Sequence, residues 1–398
     1  MAKRSLRIPT TTTIDPSGWL VPAGVAVIGA TYGLARYGYG LTLPEFRAAF
    51  GLSTAAAGGI ASGSLVAYCV AAALAAHLVA RGRARPALWL AGGCAALGSA
   101  VVATAWSWQA LTVGVLVAGS GAGFATPALV EAVAATVSPQ AEPRAQAVVN
   151  SGTGAGVVLG GLIVLAAPAA WRWAWAGFAV VALLSTWWAD RSAAWPVDHR
   201  TRAPARASRT VPVLRRPLVA AVVAGAGSAS VWTFGRDLLT QAGVPAGVTG
   251  LLWCLLGAAG LIGGLSGHLV GRVGVRGAWP IGAGVAAAAV VLLASSPSVP
   301  TAALSLTCFG AAFVGLSGVL IAWAVEVVPH AAGQAAAVVF IGLTAGQALG
   351  AAVLGAVAGT TGVPATFVVA AGLLALAAAV RPRSRASIRR LAAPGPVR

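Results

Sequence analysis

The sequence predicts an all-α integral membrane protein in which twelve transmembrane helices form two related six-helix halves. Three observations support this fold class. The 398 residues are 58% hydrophobic and only 9% charged, with a mean hydropathy of +0.86, and so little charge does not cover a soluble protein of this size. Apolar runs of membrane-crossing length recur along the chain, and blocks of the first half return in the second.

Each apolar run has the length of one helical crossing, because a hydrocarbon core of about 30 Å needs about 20 apolar residues. Backbone groups in lipid must be satisfied within the segment, and the alternating strands of a membrane barrel are absent, so we expect helices. The runs extend over Leu20–Leu43, Thr54–Val79, Pro86–Ala105, Gln109–Val137, Gln146–Ala167, Trp171–Ala189, Leu218–Leu239, Val248–Val270, Gly277–Ser295, Thr301–Val328, Gln334–Gly359 and Val363–Val380.

A basic stretch, Asp190–Pro217, separates the first six runs from the last six. It holds seven arginines and four prolines with almost no apolar run, a composition typical of a solvated connector. The predicted domains are an N-terminal six-helix half (1–190), a cytoplasmic basic connector (191–217), a C-terminal six-helix half (218–381) and a basic cytoplasmic tail (382–398).

The placement of basic residues predicts the orientation in the membrane. The chain has 26 Lys and Arg against 8 Asp and Glu, a net charge of +18, which by itself could also indicate a nucleic-acid binder. With a cytoplasmic N-terminus, 22 of the 26 basic residues fall in cytoplasmic segments, as the positive-inside rule expects. The charge is therefore interpreted as a topology signal. We predict a multi-pass protein of the inner (plasma) membrane, with both termini cytoplasmic and no nucleic-acid partner.

The two halves share sequence blocks at nearly constant spacing. The block His77–Arg81 (HLVAR) returns 191 residues later as His268–Arg272 (HLVGR). A glycine pair returns 190 residues later: Gly156 and Gly160 recur as Gly346 and Gly350. These two agreements indicate a duplicated six-helix unit, the parallel-repeat plan of some transporters.

The repeated block also carries a motif. Gly267–Arg276 reads GHLVGRVGVR, and the first half keeps the corresponding Arg81 and Arg85. This pattern is similar to the loop signature of the major facilitator superfamily, Gly-x-x-x-Asp-Arg-x-Gly-Arg. The chain from about Leu20 to Val380 resembles that superfamily, in which two six-helix halves are related by a pseudo-twofold axis.

The resemblance implies that four arginines belong to cytoplasmic gating loops. In both copies a small residue, Ala80 or Gly271, replaces the acid of the signature, so the loop salt bridge of the family lacks its acid here. The four arginines are Arg81, Arg85, Arg272 and Arg276.

Two further stretches resemble the superfamily. Gly152–Gly161 is similar to the motif that marks its antiporters, with Val157 in place of the proline. Arg36–Pro44 (RYGYGLTLP) is similar to the first-helix ending of a bacterial branch.

The resemblance implies a secondary active transporter that moves a small organic solute by alternating access. The antiporter-like motif favours proton-coupled efflux, whereas Arg36 favours the alternative of proton-linked uptake of an organic anion. A membrane-embedded enzyme would need clustered His, Asp or Glu, and the eight acids and four histidines are scattered. Duplicated glycine-rich halves disfavour a channel. We therefore predict a transporter and not an enzyme.

Arg36 is the first candidate for substrate binding. A charge inside a membrane span costs about 2.5–3.5 kcal/mol on insertion scales, so it should face a polar cavity or a partner. Tyr32 precedes it by four residues and Tyr39 follows by three, which places both rings on its face of a helix. One interpretation is an anion-binding or gating site. The other is a guanidinium that extends to the outer interface, with the tyrosines in an aromatic belt.

Glu131 is the candidate for proton coupling. It follows Pro127 by one turn and Phe124 by two. Proline frees a carbonyl, and a carboxyl in a poorly hydrated place can bind a proton reversibly. The alternative is an interfacial glutamate paired with a loop arginine, the structural role that we expect for Glu326.

Several other polar and aromatic residues lie within apolar runs. Ser228, Trp232 and Arg236 follow one another at four-residue spacing. Arg236, beside Asp237, is expected to anchor the chain at the interface, and Ser228 and Trp232 to line a cavity. Asn150 and Gln347 are either cavity ligands or interhelical hydrogen-bond partners. By the superfamily's arrangement, the cavity candidates also include Phe124, Phe313, Ser317 and Trp323.

No cofactor or metal is expected. The single lysine, Lys3, leaves no Walker A loop for ATP. The four cysteines form no C-x-x-C pair and are interpreted as core residues. His77 and His268 have no acid or thiol at ligand spacing. The predicted partners are a small-molecule substrate, protons and membrane lipids, with the connector resting against anionic headgroups, and the predicted oligomeric state is a monomer.

Overall fold

The computed structural model describes residues 17–167, 169–195, 213–263, 266–295 and 298–382. All regular elements of these residues are helices. They are α1 Ser17–Ile28, a π-helical segment Gly29–Arg36, α2 Gly38–Phe50, α3 Thr54–Ala80, α4 Ala84–Ala103, α5 Trp108–Thr136, α6 Glu142–Ala166, α7 Trp171–Ser192, α8 Arg215–Gln241, α9 Ala246–Gly263, α10 Ser266–Ser295, α11 Val299–Val327, a 3-10 turn Pro329–Ala331, α12 Ala332–Thr361 and α13 Val363–Ala379.

Twelve helical crossings account for these elements. α1, the π-helical segment and α2 form one continuous crossing, Gly18–Phe50. This and nine other helices of the described residues are long and apolar enough to cross a membrane, and α13 is a shorter apolar helix. The more polar α7 completes the set. The prediction of an all-α multi-pass membrane protein is thus confirmed.

Local signals set several helix boundaries. The hydroxyl of Ser53 accepts a hydrogen bond from the backbone N–H of Ala56, and that of Ser107 accepts from Ala110, which caps α3 and α5. Inside α10, Gly274 has a φ of 67°, a left-handed conformation that favours glycine. The ninth crossing therefore begins at residue 275. Most of the predicted connector (196–212) and the tail beyond 382 lie outside the described residues.

Gly156 and Gly346, which repeat at an offset of 190, perform the same task in both halves. A Cβ atom on Gly156 of α6 would meet the backbone of Gly29 in the first crossing. A Cβ atom on Gly346 of α12 would meet the backbone of Val222 in α8. Both glycines therefore allow two helix backbones to approach closely, as small residues do in membranes.

The two halves meet along a seam formed by α3 with α12, α6 with α9, and α2 with α8. Glycine again permits the approach: a Cβ atom on Gly58 of α3 would meet Ala351 of α12, and one on Gly154 of α6 would meet Gly257 of α9. We call the end of the bundle at which α2, α3, α8 and α9 meet the latch end. The other end, where α7 finishes and α8 starts, is the connector end.

Gly156→Ala is expected to destabilise the protein, because the new methyl group overlaps the backbone of Gly29. Overpacking of this kind costs about 1–3 kcal/mol. The control is Gly93→Ala on α4, where a Cβ atom would meet nothing within 4 Å, and where alanine gains up to about 1 kcal/mol of helix propensity over glycine. Thermal unfolding in detergent should show a lower Tm for the first variant alone. Equal Tm values would contradict close packing at Gly156.

Candidate functional site

Arg36 closes the π-helical segment, all eight residues of which are buried. The backbone N–H of Tyr37 donates to the carbonyl of Tyr32 at 3.0 Å, a five-residue step in place of the usual four. Such widened turns are frequent at functional sites. The extra residue rotates the chain that follows, and for this reason Tyr37 comes beside the Arg36 guanidinium.

The Arg36 guanidinium is buried among aromatic rings. Its Cζ atom lies 5.4 Å from the ring centroid of Tyr32, 5.1 Å from Tyr37 and 4.4 Å from Tyr68, while the residue is only 6% exposed. Nη2 donates to the side-chain oxygen of Gln347 at 2.9 Å. No carboxylate of the described residues pairs with Arg36, and its Nε has no acceptor. Ring faces attract a cation but carry no net negative charge, so Arg36 lacks a counter-ion among the described residues.

Hydrogen bonds hold the tyrosines around Arg36 in place. The hydroxyl of Tyr32 shares hydrogen bonds with Tyr68 (2.9 Å) and Thr126 (2.8 Å), which ties the first crossing to α3 and α5. The hydroxyl of Tyr39 donates to the carbonyl of Ala57 at 2.9 Å. This side of the site therefore belongs to the N-terminal half and is fixed by it.

The C-terminal half supplies the other side of the site. Trp232 of α8 stacks on Tyr37 with ring centroids 4.1 Å apart, and its own N–H has no acceptor. Gln347 of α12, which accepts from Arg36, donates to Ser228 at 3.3 Å. The site thus crosses the seam between the halves.

A cleft lies between these side chains. It is narrow: the free space between its atoms is about 390 Å³ when open solvent is counted, and about 30 Å³ of this is room inside the cleft itself. Residues of both halves line it: Arg36, Tyr37, Tyr39, Gly40, Ala61, Ser64, Leu65, Ala229, Trp232, Thr233 and Gln347.

The structure brings several of the predicted binding residues together here. Arg36, Tyr39, Trp232 and Gln347 line the cleft. Three others are adjacent to lining residues: Tyr32 by its ring, Ser228 by its bond to Gln347, and Phe313 by an edge-on contact with Trp232 at 5.5 Å.

Other predicted binding residues lie elsewhere. Phe124 is buried in an apolar cluster of the N-terminal half, and Trp323 packs on Trp279 at 5.8 Å. The hydroxyl of Ser317 donates to the carbonyl of its own helix at Phe313. Asn150 is exposed on α6 and accepts from Gln146 at 3.4 Å. None of these four candidates lines the cleft.

Two further interpretations need correction. Arg36 does not extend to an outer interface, because the π-helical turn directs it among buried rings. Arg236 is not an interfacial anchor, because it is 0% exposed. Its Nη1 and Nη2 donate to both carboxylate oxygens of Glu45 at 2.5 and 2.7 Å, and its Nε donates to Thr249 at 2.8 Å. The carbonyl of Leu41 also accepts from Nη1.

A second ion pair lies beside the first. Arg47 of α2 donates to Asp237 of α8 at 2.5 Å, and Asp237 also accepts from Gln241. The two pairs are crossed: in one pair the acid, Glu45, lies in the N-terminal half, and in the other pair the acid, Asp237, lies in the C-terminal half. We call Glu45, Arg47, Arg236 and Asp237 the latch. It joins the halves at one end of the bundle, on the far side of the cleft from the connector.

The arginines predicted in gating loops lie at the connector end and are all exposed. Arg85 forms a two-point ion pair with Asp190 of α7, with distances of 2.8 and 2.9 Å. Both residues belong to the N-terminal half, so this pair does not join the halves. His77 and His268 are exposed at the same end. No group of three His, Cys, Asp or Glu residues that could hold a metal occurs within the described ranges.

Sequence reasoning missed Tyr37, Tyr68 and the latch. Tyr37 adjoins Arg36, and in a regular α-helix adjacent residues do not face each other, so the π-helical turn had to be known. Tyr68 enters from another helix. The latch did leave a signal: an acid and an arginine stand just beyond the end of the first apolar run and, in opposite order, near the end of the seventh, as Glu45-Phe-Arg47 and Arg236-Asp237.

Arg236→Gln is expected to open the latch end. Removing one partner of a buried ion pair leaves the other charge unmatched and costs about 3–5 kcal/mol. Spin labels at Ala49 and Ala242, both exposed and on different halves, report the separation in a cysteine-free background. Double electron–electron resonance should show, in the variant, a population with a longer distance between the two spin labels. An unchanged distance distribution would show that the latch does not hold this end closed.

Two variants serve as controls for this experiment. Arg172→Gln removes an exposed arginine that donates only to Ala103 in its own half and should leave the distances unchanged. Arg47→Asp should lengthen them, and adding Asp237→Arg should shorten them again, because the exchanged charges restore the pair.

Comparisons with known proteins agree with this architecture. A family model described as Major Facilitator Superfamily matches residues 25–341. A mutant of the nucleoside transporter NupG is 14% identical, with a TM-score of 0.76 over 90% of this chain and 98% of that chain. A bacterial homolog of the human lysosomal transporter Spinster is 15% identical, with a TM-score of 0.75 over 93% and 97%. The D-xylose-proton symporter is 16% identical, with a TM-score of 0.71 over 91% and 96%. No curated protein matches the sequence significantly.

Proposed function

The chain belongs to the major facilitator superfamily, and from this premise we propose that it carries a small organic anion through the cleft between its halves. Membership makes the protein a secondary transporter and not an enzyme, and the two-half fold predicted from the sequence is confirmed. The substrate class, the coupling ion and the direction of transport belong to the proposal.

One observation carries the choice of an anion. Arg36 is a buried cation without a carboxylate partner among the residues that the structure describes, at a cleft lined by both halves. Isolated charges in a low-dielectric site are costly and normally paired. An anionic substrate supplies the missing charge, and a guanidinium suits a carboxylate because it can donate two parallel hydrogen bonds.

Alternating access would use the seam and the latch. The two crossed ion pairs close one end, and glycine-backed contacts such as Gly58 with Ala351 hold α3 against α12. For a substrate to pass that end, both ion pairs must separate, after which water solvates their charges. The substrate site and the latch lie on the same two crossings, so separation at the latch also parts Tyr37 from Trp232.

The remaining predictions complete the proposal. We assign residues 1–190 and 218–381 to the moving halves and 191–217 to the connector between them. The connector end faces the cytoplasm of a plasma membrane, as the positive-inside rule expects, and the protein acts as a monomer. The proposed direction of transport remains export, on the basis of the antiporter-like motif. Two glycines of that motif, Gly152 and Gly156, also pack on the first crossing and so have a structural role as well.

Protons are the proposed coupling ion, with Glu131 as their carrier. Glu131 lies on α5, is partly exposed and forms none of the ion pairs of the described residues. Its alternative role, pairing with a loop arginine, therefore has no support in the described residues. Its position near the connector end gives a proton a route from that side of the membrane.

Arg36→Gln is expected to reduce transport of an anionic solute about 10- to 100-fold, because a hydrogen bond to a charged group contributes about 1.5–3 kcal/mol. Uptake into proteoliposomes should be measured over a panel of organic anions and hydrophobic cations. Arg36→Lys, which keeps the charge but not the planar donors, should retain part of the activity.

The matched control for Arg36 is Arg172→Gln, an exposed arginine at the latch end whose loss should leave transport unchanged. Full activity of folded Arg36→Gln protein toward every anion that the parent transports would reject the proposed site.

Glu131→Gln is expected to abolish pH-driven flux while leaving exchange of substrate for substrate intact, since exchange needs no net proton movement. Glu326→Gln is the control, because Glu326 lies at the corresponding end of α11 and is exposed. Both fluxes can be followed in the same liposomes with and without a pH gradient. If Glu131→Gln keeps its pH-driven flux, the proton is carried elsewhere.

A further inference from the structure

We propose that the substrate is a small planar aromatic monocarboxylate, an inference that rests on the transport function proposed above. Two orphaned donors point to the carboxylate. The Nε of Arg36 and the Nε1 of Trp232 are buried, and neither has an acceptor within the described part of the chain. Arg36 is 6% exposed and Trp232 8%, both side chains line the cleft, and they come from different halves.

The chemistry of these donors limits the ligand. An indole nitrogen and a guanidinium can only donate, so a ligand group that bonds to either of them must be an acceptor, which an ammonium is not. One guanidinium with no other charged side chain in the cleft lining matches one negative charge. A carboxylate fits this requirement better than a dianionic phosphate, which would leave charge and acceptor oxygens unmatched.

The aromatic side chains indicate what the rest of the ligand is. Tyr37 stacks on Trp232 across the seam, 4.1 Å apart at an interplanar angle of 29°. Trp232 also contacts Phe309 and Phe313 edge-on at 6.2 and 5.5 Å. When the halves separate, the stack between Tyr37 and Trp232 is lost. A planar ring on the substrate restores a stacked partner, the arrangement that aromatic pairs prefer.

The apolar part of the lining agrees with a ring that has few polar substituents. Ala61, Leu65 and Ala229 face the cleft. The hydroxyl of Ser64 is occupied by the carbonyl of Val115. The hydroxyl of Tyr39 is occupied in the same way by the carbonyl of Ala57. The polar lining side chains left for a ligand are Arg36, Tyr37, Trp232, Thr233 and Gln347.

Binding of three probes to the full chain in nanodiscs tests the substrate class directly. Benzoate is expected to bind. Benzamide, which has the same ring without the charge, should bind at least about tenfold more weakly because it loses the charged hydrogen bonds. Cyclohexanecarboxylate, which has the charge without a planar ring, should bind about fivefold more weakly. Equal affinities for benzoate and either comparator would overturn the proposal, as would no benzoate binding.

Two tryptophan variants test the second donor. Trp232→Phe keeps an aromatic ring but removes the N–H, and should weaken benzoate binding about tenfold. Trp253→Phe is the control: its N–H is also buried without an acceptor, but Trp253 does not line the cleft. Its benzoate affinity should match that of the parent. An equal effect of the two variants, or none from Trp232→Phe, would overturn the assignment.

Counterflow in proteoliposomes separates this inference from the proposed function. Benzoate binding in the expected order without counterflow would reject transport and leave the assignment of the site intact. Counterflow of aliphatic anions with no preference for the planar ring would reject the aromatic substrate and leave the transport function intact. The probe comparison uses the parent protein, so it holds even where a variant fails to fold.

Discussion

Burying a guanidinium away from water requires that its charge be matched, and the two buried arginines of the described residues are matched in opposite ways. Arg236 has both oxygens of Glu45, a threonine hydroxyl and a backbone carbonyl. Arg36 has three tyrosine rings and one amide oxygen, but no carboxylate. The complete shell around Arg236 is what a structural ion pair needs, whereas the incomplete shell around Arg36 is what a binding site leaves for its ligand.

Both arginines lie at the seam, so the same charges govern binding and conformational change. The halves approach closely because glycines on α3, α6, α9 and α12 let their backbones meet, and Arg36, Arg236 and Asp237 are buried at this contact. Low dielectric strengthens each ion pair once it has formed, but desolvation offsets much of the gain. The closed latch end is therefore held by a modest net free energy, which allows a transporter to open it.

The fold was readable from the sequence because its signals are long and repetitive. Apolar runs of crossing length predict helices wherever they occur, and Gly156 and Gly346, which are 190 residues apart, mark equivalent close backbone contacts in the two halves. Arg36, Trp232 and Gln347 were identified because polar or aromatic side chains inside apolar runs are conspicuous. Tyr37 and Tyr68 were not, because a π-helical turn and a neighbouring helix bring them to Arg36. Phe124 and Trp323 were expected in the cavity, but Phe124 is buried in an apolar cluster of the N-terminal half and Trp323 packs on Trp279.

The sequence by itself determined the membrane fold, the duplicated halves and the presence of a charge that needs a partner, since these depend on composition and on local spacing. Only the tertiary structure decided which charges are paired. Glu45 and Arg236 are 191 residues apart, and Arg36 and Gln347 are 311 apart. Such contacts arise when whole halves pack together, and spacing along one helix does not encode them. For that reason the tertiary structure alone assigns Arg236 to the latch and shows Arg36 without a carboxylate among the described residues.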